Sequence, residues 1–171
     1  DLLKFTVNLF KNAAGRQLSP LECHDLVCKI ASVIVVGGVR RSALISLSDL
    51  NSNRMRVAKS GEWFRDYPHR GLANNSAVYS ERPDMNTFLK EWYSLYESKS
   101  GERGIFNRES AKNKVASLRR RDPDHEFGTN PCSEIILRPY QFCNLTEVVV
   151  RASDTVLSLI HISEPTRQFA L

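Results

Sequence analysis

The tetrapeptide Ser19-Pro20-Leu21-Glu22 constrains the fold of this chain more than any other stretch. Ser19 can accept the backbone N–H three residues on, Pro20 suits the first helical position, and Glu22 can return the bond to Ser19, so a helix must start here. The run that follows, CHDLVCKIASVIVV, carries apolar residues around much of a helical wheel. The spacing therefore predicts a well-buried helix that stops at Gly37-Gly38. Cys23 and Cys28 lie in it on different faces. That suits buried structural cysteines better than zinc ligands with His24 and Asp25.

Further along, residues 43–47 alternate as a strand does, and a second strand is predicted over 75–79, after a loop at 68–74. Asp84 starts a helix, MNTFLKEWYSLYESKS, that ends at Gly101. Phe88, Trp92, Leu95 and Tyr96 share one face of it, and that aromatic stripe is expected to be core. Another helix is predicted over 108–118, an extended segment over 130–137, and a strand over 144–150, where three consecutive valines favour it.

The 171 residues carry a net charge of +5 and are 42% apolar. No run of 18 apolar residues occurs, so no membrane-spanning helix is expected. The dense basic run Arg119-Arg120-Arg121 reads as a solvated face. Without an aromatic-interleaved basic stripe, nucleic-acid binding is not expected. The first residues lack a starting Met and a signal-peptide core, so the chain reads as an internal fragment of a cytoplasmic protein. Its four cysteines then suggest catalysis or metal binding rather than a disulfide scaffold.

The chemistry concentrates in GTNPCSEIILRPYQFCN, residues 128–144. If 130–134 is extended, Asn130, Cys132 and Glu134 point to one side, about 6–7 Å apart. A thiol would then sit between a general base and a neutral hydrogen-bonding amide, a set that could bracket a small polyol ring. Three readings stay open on the residues alone. Cys132 packs in an edge strand; or it is a redox or nucleophilic thiol with Cys143 as its partner; or Cys132, Cys143 and His125 hold zinc, without any CxxC or HxxxH pair to support that. Upstream, Gly37, Gly38, Arg40, Arg41 and Ser42 form a loop with the capacity to bind an anion.

NPCSEI followed by FCNLTEVVV resembles the active-site region of the ribonucleotide reductases, most closely the adenosylcobalamin-dependent class. The asparagine-proline before the cysteine points to that class over the diiron one, and the eleven-residue step from Cys132 to Cys143 resembles its triphosphate-reducing branch. VVGGVRRSALISLSD is similar to the family's specificity loop, and LANNSAVY and SGERGIFNRESA also resemble family segments. The resemblance implies an α/β fold, a partial slice of a ten-stranded barrel with Cys132 on a finger loop inside it. It implies a buried Cys132 as the thiyl site that takes the ribose 3′ hydrogen, Glu134 as acceptor of the 3′-hydroxyl proton, and Asn130 as a partner of the ribose hydroxyls. Cys143 becomes one half of the dithiol that supplies electrons.

Gly37, Gly38, Arg40, Arg41 and Ser42 become the loop that couples effector to substrate. The implied cofactor is adenosylcobalamin, with no resident metal among these residues. The implied partners are a ribonucleotide substrate, a deoxynucleotide or ATP effector and a thioredoxin-like reductant. The upstream partner of Cys143 has no counterpart here, and the chain alone is expected to be inactive because a partial barrel leaves strand edges unpaired. The alternatives are a diiron-dependent reductase and a non-catalytic basic nucleotide- or nucleic-acid-binding module.

The resemblance stops near Thr155. LSLIHISEPTR, residues 157–167, is similar to a translated transposase sequencing adaptor. The expected division is therefore a barrel fragment over 1–156 and a non-native tail over 157–171, in which His161 has no function.

Overall fold

The computed structural model describes residues 1–36, 39, 40, 42–119, 121–143 and 149–158 of the chain; at 35, 36, 39 and 40 it describes the backbone alone. Two helices open it, α1 (Leu2–Asn12) and α2 (Pro20–Ala31). The expected capping box forms: Ser19 Oγ accepts the Glu22 N–H at 3.3 Å, and Glu22 Oε2 accepts the Ser19 N–H at 2.8 Å. Arg16 clamps the same carboxylate through two nitrogens, at 2.8 and 2.7 Å.

The helix ends at Ala31, six residues before the expected Gly37-Gly38 stop. Residues 33–36 are all β-branched, and their stiff χ1 favours extended backbone over another helical turn. Part of that run becomes β1 (Val35–Val36), which pairs antiparallel with β2 (Val39–Arg40). Cys28 is fully buried as expected, but Cys23 is exposed.

The centre of the fold is a parallel sheet of β3 (Leu44–Asp49), β4 (Ala73–Tyr79) and β5 (Gly104–Asn107), in that order. Leu44 lies opposite Ala73, and Ser76 opposite Gly104. Parallel neighbours need long crossovers. The first runs through two single-turn helices, α3 (Asn53–Arg56) and α4 (Trp63–Asp66), and a 3-10 helix, Pro68–Leu72, where the sequence suggested a loop. The second is α5 (Met85–Ser98), started by Asp84, which caps the Thr87 N–H at 3.0 Å. After β5, α6 spans Arg108–Leu118 as expected, its start capped by Asn107. A two-stranded hairpin, β6 (Gly128–Thr129) and β7 (Ile136–Leu137), completes the described elements. The chain is thus α/β with a parallel sheet.

Polar groups lock this fold as much as apolar ones. The buried apolar residues are mostly small: Ala58, Ala73 and Ala77 beside Cys28, Met55, Phe106 and Phe127. Between them run buried ion pairs. Asp25 receives two hydrogen bonds from Arg70, both 2.6 Å, and the Arg70 guanidinium lies 3.8 Å from the Tyr67 ring centroid. Glu91 is the one buried residue of α5. It receives Arg56 at 2.8 Å and Arg103 at 2.6 and 2.9 Å. Arg103 also reaches Ser48 Oγ at 2.7 Å on β3.

The aromatic stripe of α5 is not core. Trp92 and Tyr96 are 56% and 69% exposed and stack on each other, their ring centroids 6.4 Å apart. The side of α5 that meets the sheet carries Glu91, because the arginines it neutralises are buried there. The expected strand over 144–150 lies largely outside the described residues; Val149 and Val150 are exposed and in no strand. Among the described residues no helix is long and apolar enough to cross a membrane.

Candidate active site

Cys132 sits at the tip of the β6–β7 hairpin. Gly128 pairs with Leu137 and Thr129 with Ile136. The Asn130 N–H donates to the Ile135 carbonyl at 3.2 Å, carrying the ladder one step further. The Ser133 N–H then donates to the Asn130 carbonyl at 3.0 Å, closing a four-residue turn with Pro131 and Cys132 at its centre. Pro131 occupies the position where its fixed φ favours such a turn. Ser133 leaves it in the left-handed region, at φ 68°.

This geometry corrects the extended segment expected over 130–134. Asn130, Cys132 and Glu134 do not share one strand face. Asn130 is buried, and its Oδ1 accepts the Ile135 N–H at 3.0 Å. Cys132, expected to be buried, is exposed, as is Glu134. The physical reason is the Asn-Pro pair, a turn former that outweighs the alternation around it. The thiol, the carboxylate and the amide still belong to one short loop, with the amide as its internal brace.

The loop is held against the sheet. Paired residues of parallel strands face the same way, so Ile45 and Leu47 of β3 share a face with Asn74 and Ser76 of β4. The hairpin lies on that face: a Cβ at Gly128 would stand 3.5 Å from Leu47 Cδ1. Phe127, just before β6, is fully buried, and its carbonyl accepts Arg108 Nε at 2.8 Å. At the tip, Asn74 Nδ2 donates to the Pro131 carbonyl at 2.7 Å.

On the other face of β4, Asn75 Oδ1 meets His24 Nε2 at 3.0 Å, while Asn75 Nδ2 is buried without a hydrogen-bond partner among the described residues. Burial alone would push His24 down. Its contacts with Asp25 at 3.4 Å and Cys28 at 3.8 Å outweigh that and raise it to about 9. The Asn75 N–H, beyond the end of the β5 ladder, is taken by Glu102 Oε2 at 2.8 Å.

Cys143 is half-buried past the far base of the hairpin. It lines a cleft of about 540 Å³ with Ile135, Leu137, Tyr140 and Phe142. The turn that leads to it carries Tyr140 at φ 64° and closes through Arg138 and Gln141. Among the described residues no three His, Cys, Asp or Glu side chains could together hold a metal ion, so zinc through Cys132, Cys143 and His125 has no geometry here. His125 faces Asp122 instead, at 3.6 Å.

Of the expected specificity loop, Gly37, Gly38 and Arg41 lie outside the described residues, and Arg40 is described only as backbone of β2. Ser42 is anchored, its Oγ donating to the Ala31 carbonyl at 3.0 Å at the end of α2. The sequence reading missed Asn74 and Arg108. A signal for the first was available: paired asparagines inside a central strand, where the residue type is disfavoured.

The candidate site is thus an exposed thiol on a hairpin braced over a parallel sheet. No family model matches the chain, and no solved structure matches it. Curated relatives do. An adenosylcobalamin-dependent ribonucleoside-triphosphate reductase of Levilactobacillus brevis is 33% identical over 148 residues, 84% of this chain and 19% of that protein. The protein of the same name from Lacticaseibacillus paracasei is 34% identical over 147 residues, 83% of this chain and 19% of its own length. That from Lactobacillus gasseri is 31% identical over 150 residues, with 84% and 19% covered. Over the matched residues the chain is similar to the ribonucleotide reductases. Within them it matches a segment of the adenosylcobalamin-dependent class, and it spans about a fifth of the length of these relatives.

Proposed function

We propose that this chain is the active-site segment of an enzyme that reduces ribonucleoside triphosphates to 2′-deoxyribonucleotides. The observation that carries the proposal is Cys132, exposed at the tip of a braced hairpin, in a chain whose relatives bear that activity in their names. Residues 1–156 would be part of a ten-stranded catalytic barrel, and 157–171 a non-native tail. The protein would work in the cytoplasm.

Cys132, as a thiyl, takes the 3′ hydrogen of the ribose. Glu134, on the same loop and exposed, receives the 3′-hydroxyl proton. The 2′-hydroxyl then leaves as water. A dithiol of which Cys143 is one half gives up two electrons and two protons, one proton to the departing water and one to C2′, and becomes a disulfide; Glu134 then returns its proton to the 3′ oxygen and Cys132 its hydrogen to C3′. A thioredoxin-like reductant restores the dithiol. Asn130 Oδ1 is committed within the loop, so its amide nitrogen is the end that meets the ribose hydroxyls. Residues 37–42 carry the response to a deoxynucleotide or ATP effector.

Adenosylcobalamin would supply the radical that Cys132 receives. The exposed thiol fits a group that passes a hydrogen atom to a cofactor held elsewhere in the protein, and no described residue is assigned to the corrin.

The test is Cys132→Ser in the whole catalytic chain that carries this segment. Deoxynucleotide formation, assayed with adenosylcobalamin and a dithiol, is expected to vanish while substrate binding stays within about twofold of the parent. Undiminished turnover would refute the radical role. Turnover that ignores cobalamin but needs a second, radical-generating subunit would favour the diiron reading.

A further inference from the structure

We infer that Asn74 is a positioning residue for the Cys132 thiol, an inference that rests on the reductase reading and deepens it. Asn74 Nδ2 donates to the carbonyl of Pro131 at 2.7 Å. That carbonyl shares a rigid peptide plane with the nitrogen and Cα of Cys132. Holding the oxygen therefore holds the Cys132 nitrogen and Cα in place, and with the turn closed by the Ser133 N–H on the Asn130 carbonyl this sets the direction in which the side chain leaves the backbone.

The bond is long-range, between a strand and a loop 57 residues away, and it joins the tip of the hairpin to the central strand of the sheet. The base of the same hairpin is held by Arg108 on the Phe127 carbonyl. Among the described residues, the hydrogen bonds left at the tip without Asn74 are internal ones: Asn130 to Ile135 and Ser133 to Asn130. Those set the shape of the turn but not its place over the sheet.

Asn74 itself is exposed, so its side chain is not retained for packing. It also sits in a central parallel strand, where asparagine is disfavoured. Its neighbour Asn75 faces the opposite way and serves His24, so the two asparagines have separate tasks.

The experiment compares the whole catalytic chain that carries this segment with its N74A, N74D and N74Q variants, by amide hydrogen exchange over residues 130–137 and by the rate at which iodoacetamide alkylates Cys132. Losing one hydrogen bond of ordinary strength predicts exchange about three- to tenfold faster in N74A. N74D keeps the size of the side chain but, ionised, has no N–H to donate, so it should match N74A. N74Q keeps the donor and should lie near the parent. The Cys132 alkylation rate should change in N74A and N74D and not in N74Q, with the urea midpoint of all four unchanged.

If N74D behaves as the parent, the side chain only fills space and the positioning role is overturned. These readouts do not depend on turnover. A failure of Cys132→Ser to abolish reduction removes the reductase reading, while a failure of N74D to loosen the loop removes Asn74 alone.

Discussion

Replacing Glu91 by Gln tests whether this fold depends on buried charge. Glu91 is 5% exposed and accepts three charge-assisted hydrogen bonds: one from Arg56 at 2.8 Å and two from Arg103 at 2.6 and 2.9 Å. Arg103 is itself 3% exposed, so removing the carboxylate charge leaves a buried guanidinium uncompensated. Gln keeps the volume, so no cavity enters the result. Each bond to a charged group contributes about 1.5–3 kcal/mol, but the gross sum overstates the effect because all three partners are desolvated. Breaking a buried pair from one side costs about 3–5 kcal/mol. With a urea slope of about 2 kcal/mol per molar, the midpoint should fall by about 2 M at an unchanged slope.

Glu62→Gln is the control. Its partner Arg65 stands at 2.6 Å, but both side chains are more than 60% exposed, and no shift is expected. A Glu91→Gln midpoint within about 0.3 M of the parent would refute the reasoning. It would mean that the arginines find water or other acceptors when the charge is gone. Burial raises the Glu91 carboxyl, but Arg103 and Arg56 outweigh it and hold it below its ordinary range. Its contribution is therefore present above pH 4.5 and lost as pH falls through the lowered folded-state value.

Two further predictions concern α2. Ser19→Ala removes the acceptor for the Glu22 N–H and should cost about 1 kcal/mol in urea unfolding, with helix content unchanged by circular dichroism. His24, raised to about 9, should contribute stability fully below pH 6.5 and lose it as pH rises through about 9; the urea midpoint of the parent should fall between pH 6 and 10 by more than that of His24→Gln, and equal slopes would remove His24 as the cause.

The starts of α2, α5 and α6 were legible because their caps are local, whereas α1, α3 and α4, which have no side-chain cap bond, were not foreseen. Ser19, Asp84 and Asn107 each bond a backbone N–H three residues on, and short-range sequence carries that information. Of the strands, β3 was legible from its alternation and most of β4 was placed, while β5 was not foreseen. The errors came where two local preferences compete or where a partner lies far away in sequence. At 33–36 β-branching ended a helix that its hydrophobic pattern would have continued. At 130–133 the Asn-Pro turn overrode alternation. The α5 stripe looked like core because an aromatic face usually is, yet the face that meets the sheet was fixed by Arg56 and Arg103, which no reading of α5 alone reveals. The residues proposed for the site were picked out by NPCSE; their geometry was not legible, because the atom that holds the tip comes from Asn74, 57 positions upstream.

Every pairing in the β3–β4–β5 sheet joins residues nearly thirty positions apart: Leu44 with Ala73, Ser76 with Gly104. Each crossover must close against its loop entropy before any ladder rewards it, so the sheet assembles slowly. The β6–β7 hairpin is the opposite case, a local turn that can close in microseconds. It has nowhere to dock until β3 and β4 are side by side, because Leu47 and Asn74 come from different strands. In the order of folding, the Cys132 thiol therefore acquires its place over the sheet last, after the scaffold beneath it is complete.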